Sequence, residues 1–125
     1  MRQVIDTADA PEAIGPYSQG IVSGGVLYCS GQIPLEPSSG ELVKLDTAGQ
    51  ARRCLDNLEA VCRAAGTALR RAVRVTVYLA DMGDFERVNS VYQEYFPGDP
   101  PARVAIGVAA LPRGADVEIE AVVEV

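Results

Sequence analysis

Ala72-Val73-Arg74-Val75-Thr76-Val77-Tyr78-Leu79 is the stretch that decides the fold. Val73, Val75, Val77 and Leu79 face one way, and Arg74, Thr76 and Tyr78 face the other. A period of two is the signature of a strand with one apolar side. A helical pattern precedes this strand and another follows it. In the first, Asp46-Thr47-Ala48-Gly49-Gln50 opens the helix, and Thr47 and Gln50 have capping-box spacing. Ala51, Leu55, Leu58, Cys62 and Ala65 then recur at four, three, four and three, one face of an α-helix, and Gly66 is a natural stop. In the second, Asp81 or Asp84 caps a helix with Phe85, Val88, Tyr92 and Tyr95 on one face. Pro97-Gly98-Asp99-Pro100-Pro101 ends it.

The outer parts of the chain read as strands. Met1 to Ile5 is a short one. Ile21-Val22 and Val26-Leu27-Tyr28-Cys29-Ser30 form a hairpin about Ser23-Gly24-Gly25. Pro37-Ser38-Ser39-Gly40 is a turn at a loop tip. Val104, Ile106 and Val108 alternate with Arg103, Ala105 and Gly107. Val117, Ile119, Ala121, Val123 and Val125 alternate with Glu118, Glu120 and Glu124 in the closing strand. The order is strands, helix, strand, helix, strands. The expected architecture is one α+β domain over residues 1–125. It is a sandwich in which two helices pack on one face of a mixed sheet of about six strands.

Composition excludes several classes. The chain has 125 residues and a formal net charge of −6, with no basic run. Nucleic acid is not an expected partner, because a phosphate backbone selects for basic surface. Asp6, Asp9 and Glu12 near the start, without a long apolar run, exclude a signal peptide or membrane span, and the expected location is cytoplasmic. Histidine is absent, which removes Ser-His and Cys-His nucleophiles and His-based metal sites. Cys29, Cys54 and Cys62 have no CxxC spacing and read as buried, inert thiols. Any catalysis must rest on carboxylates, tyrosines, arginine and backbone groups.

Three stretches carry candidate chemistry. Arg103 begins a strand face that continues with the small Ala105 and with Gly107, after two prolines that stiffen the approach. A held cation beside empty space suits a small anion. An arginine paired with a surface carboxylate is the alternative. Gly15-Pro16 presents Tyr17 on a constrained loop, and Gly31 allows close approach to the backbone. Asn89 lies beside the apolar seam of the second helix, facing either solvent or a ligand. Glu118 and Glu120 project from one strand face, and periodicity does not choose between them.

Taken together, these motifs resemble the RidA/YjgF family. They are Ala13-Ile14-Gly15-Pro16-Tyr17, Ser30-Gly31-Gln32-Ile33-Pro34, Asp84-Phe85 with Asn89, Pro101-Ala102-Arg103, Ala110-Leu111-Pro112 and Glu118-Ile119-Glu120-Ala121. The likeness spans essentially the whole chain. It implies a chorismate-mutase-like (YjgF-like) fold and a homotrimer with clefts between subunits. It also implies a deaminase that hydrolyses 2-iminobutanoate and 2-iminopropanoate to 2-oxo acids and ammonia without metal or cofactor. By the same resemblance Arg103 binds the substrate carboxylate, Glu118 activates water and Tyr17 donates a hydrogen bond. Ser30, Gly31, Asn89, Ala105 and Pro112 line the cleft. Many members carry Cys where this chain has Ala105, so no thiol acts there. The rival classes are an endoribonuclease and a non-enzymatic binder of small carboxylates or holdase-like protein.

Overall fold

The computed structural model describes residues 1–125. Its strands are β1 (Gln3–Ile5), β2 (Gly20–Ser23), β3 (Val26–Gln32), β4 (Ala72–Leu79), β5 (Ala102–Gly107) and β6 (Val117–Glu124). Its helices are α1 (Thr47–Ala64) and α2 (Phe85–Tyr95). The six strands form one sheet in the order β1-β2-β3-β6-β4-β5. Only β4 and β5 run parallel. A parallel pair needs a long crossover, and α2 supplies it. The expected mixed sheet with two helices on one face is the observed one.

One side of the sheet is dry. Val75, Val77 and Leu79 of β4 and Val117, Ile119, Ala121 and Val123 of β6 are buried. Ala51, Leu55, Leu58 and Cys62 of α1 cover them, joined by Cys54 and Val61. The other side carries Tyr28, Tyr78, Glu118, Glu120, Val104 and Ile106 and has no helix over it. Val104 and Ile106 remain 43% and 45% exposed there. All three cysteines are buried and unpaired. Neither helix is long and apolar enough to cross a membrane.

Three local expectations change. The cap of α1 is Asp46, whose carboxylate accepts from Gly49 N at 2.9 Å. Thr47 and Gln50 form no capping box. The Thr47 hydroxyl donates to Asp84 at 3.0 Å, and the Gln50 amide donates to Asp116 at 2.8 Å. Tertiary partners thus take side chains whose spacing suited a local cap. In β4 the register slips between Ala72 and Arg74, which turns Val73 out to solvent. A bulge breaks the period of two at the residue it inserts. Tyr95 is only half-buried, because its hydroxyl donates to Asp56 across the gap between the helices.

A single side chain fixes the long segment between β1 and β2. Gln19 is 2% exposed. Its amide nitrogen donates to the carbonyls of Thr7, Ala10 and Pro11, and its oxygen accepts from Thr7 N at 2.7 Å. Gln19→Leu keeps the volume and removes every one of these bonds. An unsatisfied buried polar group costs about 1–3 kcal/mol. Urea denaturation of Gln19→Leu is expected to show a loss of at least that size. An unchanged midpoint would show that the segment is held by something else.

Candidate active site

Two clefts contain the candidate residues, and strand parity separates them. In β6, Glu118 stands opposite Tyr78 of β4, and Ile119 stands opposite the buried Val77. Glu118 therefore belongs to the open face. In β5, Arg103 is in register with Val75 and Ala105 with Val77. Arg103 therefore belongs to the helix face. Within one chain the arginine and the glutamate look out from opposite sides of the sheet.

The first cleft has a volume of about 350 Å³ and is lined by Tyr17, Gly31, Pro112 and Glu118, with Glu12 and Arg113 among the others. The Glu118 carboxylate lies over Gly31. A Cβ at position 31 would collide with Oε2 of Glu118 and stand 3.1 Å from its Cδ. Glycine is needed here for space, at a point where the β3–β6 register slips between Cys29 and Gln32. Burial raises the pKa of Glu118 above the usual carboxylate range, and the charge of Glu120 adds to the rise. Tyr17 is carried on the segment that Gln19 anchors. A second tie comes from the Ser30 hydroxyl, which donates to Ser18 O at 2.5 Å. Ser30 thus braces the wall of the cleft.

Arg113 was not among the residues singled out in the sequence. It lies in the turn after Pro112 with φ of 59°, the one non-glycine residue with positive φ. Its guanidinium donates to Gly40 O at 2.8 Å, tying the 37–40 turn to the rim. Its place next to Pro112 was the available signal, but no spacing rule marks a left-handed arginine.

The second cleft, of about 390 Å³, is lined by Asn89, Tyr92, Gln93, Phe96, Pro100, Pro101 and Arg103. Arg103 Nη1 donates to Asn89 Oδ1 at 2.7 Å. The guanidinium carbon lies 4.8 Å from the centre of the Tyr92 ring and 5.4 Å from that of Phe85. These contacts hold a flat cation in one orientation. No carboxylate pairs with it, since the ion pairs of the chain lie elsewhere. The surface ion-pair reading is thereby removed, and the half-buried Asn89 has the guanidinium as its partner. The strand face beside Arg103 is not empty, however. Ala105 packs against the core, and Met82 Cγ occupies the space beside Gly107, 2.8 Å from where a Cβ would stand. Tyr92, read from its spacing as core, also serves as the platform under Arg103. Its hydroxyl is buried without a partner.

The structure therefore gathers Tyr17, Gly31, Pro112 and Glu118 in one cleft, and Arg103 and Asn89 in the other. Ala105 lies on the helix face of the same strand as Arg103. No group of His, Cys, Asp or Glu side chains is arranged to hold a metal ion.

The chain is similar to known proteins over nearly its whole length. Residues 7–125 match the family model described as endoribonuclease L-PSP. A mouse 2-iminobutanoate/2-iminopropanoate deaminase is 51% identical over 122 residues, 98% of this chain and 90% of the mouse protein. A RutC family protein of Pyrococcus horikoshii is 50% identical over 122 residues, 98% of this chain and 97% of that one. A crystal structure of a Rid family protein of unknown function from Yersinia pestis superimposes with a TM-score of 0.97 at 45% identity, covering 100% of both chains.

Gly31→Ala tests the seat of Glu118. The added methyl leaves no room for the carboxylate, which must swing toward solvent. Relief of burial should bring its titration midpoint down toward the ordinary range, measured by carboxyl NMR. An unchanged midpoint in the folded variant would mean that Gly31 does not set the position of Glu118.

Proposed function

The chain belongs to the endoribonuclease L-PSP family, the RidA/YjgF family of its motifs, and on that premise we propose that it is an imine deaminase acting on 2-iminobutanoate and 2-iminopropanoate. The observation that carries the reading is the pair of complementary half-sites. One presents a fixed arginine without a carboxylate partner. The other presents a half-buried carboxylate whose pKa is raised. Two copies meeting edge to face put Arg103 of one beside Glu118 and Tyr17 of the other. The exposed apolar side chains of the open face, Val104, Ile106 and Tyr28 among them, are the surface such an assembly covers. The assembly proposed is the homotrimer that the family resemblance implies.

The chemistry follows from the residues. The guanidinium takes the substrate carboxylate through two parallel hydrogen bonds. Asn89 and the Tyr92 ring keep the guanidinium plane fixed while it does so. Glu118 accepts a proton from water as the oxygen attacks the C=N carbon. It returns that proton to the nitrogen to complete the carbinolamine, then takes the hydroxyl proton and passes it to the nitrogen as C–N breaks, leaving the 2-oxo acid and ammonia. Tyr17 donates a hydrogen bond to the intermediate. The bonds balance without metal or redox partner: water adds across C=N, and C–N breaks. Such substrates arise inside cells, which fits a cytoplasmic location.

The family description also names an endoribonuclease. The net charge of −6 and the absence of histidine weigh against it here. Salt-sensitive RNA binding with cleavage, unaffected by Arg103→Ala, would favour that activity over the deaminase.

Oxo-acid release is the decisive assay, with the imine generated in place by a dehydratase. A charge-assisted hydrogen bond contributes about 1.5–3 kcal/mol. Arg103→Ala should therefore slow turnover by roughly ten- to a hundredfold with the fold intact. Arg103→Lys should recover little, since a point charge does not reproduce the fork. Glu118→Gln should retain ligand binding and lose turnover. Near-normal rates in folded Arg103→Ala would remove the assignment.

Mixing tests the shared site. Arg103→Ala and Glu118→Gln, each nearly inactive alone, are expected to regain part of the activity when unfolded and refolded together, because some interfaces then pair two intact halves. Co-refolded samples no more active than their parents would mean that Arg103 and Glu118 do not share a site across subunits.

A further inference from the structure

Glu118 and Glu120 are the same residue type on the same strand face, yet the structure treats them differently. Tyr78 stands directly across from Glu118 on β4. Its hydroxyl nevertheless donates to the diagonal neighbour, Glu120 Oε1, at 2.6 Å. Diagonal pairs are within reach of an aromatic side chain across a sheet. The choice leaves both oxygens of Glu118 without a protein donor. It also pins the charge of Glu120 in place. That bond is the main reason the Tyr78 phenol is pushed up to about 12, so Tyr78 remains a donor throughout the physiological range.

Resting on the deaminase reading, we propose that Glu120, clamped by Tyr78, is a positioning residue. It is a fixed negative charge that steers the Glu118 carboxylate toward Gly31 and strengthens it as a proton acceptor. Like charges on one face repel, and Glu120 cannot yield because Tyr78 holds it. Glu118 lies instead over the missing side chain of Gly31. There it meets the cleft that contains Tyr17. The Tyr78–Glu120 bond thus assigns different tasks to two carboxylates that periodicity makes equivalent.

Arg74 of β4 lines a cleft with Glu120 on the same face and pulls the Tyr78 phenol down, but it does not contribute to the rise of the Glu118 pKa. Glu12, Tyr17 and Arg113 line the cleft of Glu118 itself, but none of them contributes to that rise. Cys54 of α1 lies near enough to feel the Glu118 charge. Its thiol is already pushed far up by burial, so it stays neutral. Gly31 and Gln32 of β3 bring no charge. In the assembled site Arg103 of a second copy adds a cation, which acts equally on the wild type and on the variants compared below.

The sign is determined by charge. Removing the negative charge of Glu120 favours ionised Glu118, so the base remains active to lower pH. In the pH profile of kcat/KM, Glu120→Gln is expected to lower the plateau modestly, as a weaker base would, while the acid limb moves down. One pH unit below the wild-type midpoint, its activity relative to plateau should exceed wild type by about two- to fourfold, for charges about 7 Å apart, the same-face spacing of a strand, in a high effective dielectric. Tyr78→Phe should move the limb the same way by a smaller amount, and should add nothing in a Glu120→Gln background. Carboxyl NMR of Glu118 supplies a readout independent of turnover, with its midpoint lowered in both single variants. An unmoved midpoint in Glu120→Gln, or a full Tyr78→Phe effect in the double variant, would overturn the proposal. Full activity of Glu118→Gln would instead sink the deaminase mechanism and leave the NMR result standing.

Discussion

A strand bonded on both sides imposes one parity on its neighbours, and β4 is that strand here. Its apolar residues Val75, Val77 and Leu79 must meet α1 and α2. Every residue in register with them inherits that side. Arg103 follows Val75 to the helix face, and Glu118 follows Tyr78 to the open face. A one-residue slip of β6 against β4 would bring the two groups to one side of the sheet, but it would also turn Val117, Ile119, Ala121 and Val123 out of the core. Burial of the β4 and β6 apolar sets therefore decides how the functional groups are distributed.

Each half-site is built by removing freedom from a polar group. Arg103 is stacked on two rings and bonded to Asn89. Tyr17 rides on a segment that Gln19 secures through three carbonyls. Glu118 lies over Gly31, in space that a side chain would fill. Preorganisation of this kind favours reaction because little ordering remains when the substrate arrives. Ser30, Gly31, Phe85 and Asn89 belong to the motifs that suggested the site, and the other supporting groups lie outside them. They include Gln19, Tyr92, Tyr78 and Arg113.

The alternation of β4 and β6, the apolar stripe of α1 and the order of elements were legible in the sequence, because local periodicity expresses them directly. The glycine-rich hairpin was too: Gly24 and Gly25 have φ of 61° and 77°, values that a two-residue hairpin turn requires. The capping box at Thr47 and Gln50 was not a sound reading. Both side chains had better partners far away in the chain, Asp84 and Asp116. Val73 was misplaced for a related reason, since a bulge is a property of the pairing of two strands.

By itself the sequence determined the composition of the site. Without histidine and with inert thiols, any catalysis falls to carboxylates, tyrosines, arginine and backbone groups, and the roles proposed for Arg103, Glu118 and Tyr17 come from the family resemblance. Only the tertiary structure decided which of them share a cleft, because the side of the sheet a residue occupies depends on its register with β4. Tertiary structure also broke the symmetry between Glu118 and Glu120. The two are equivalent in type and parity. One diagonal hydrogen bond from Tyr78, which is 42 residues away from Glu120 along the chain, ties down one carboxylate and leaves the other free for water.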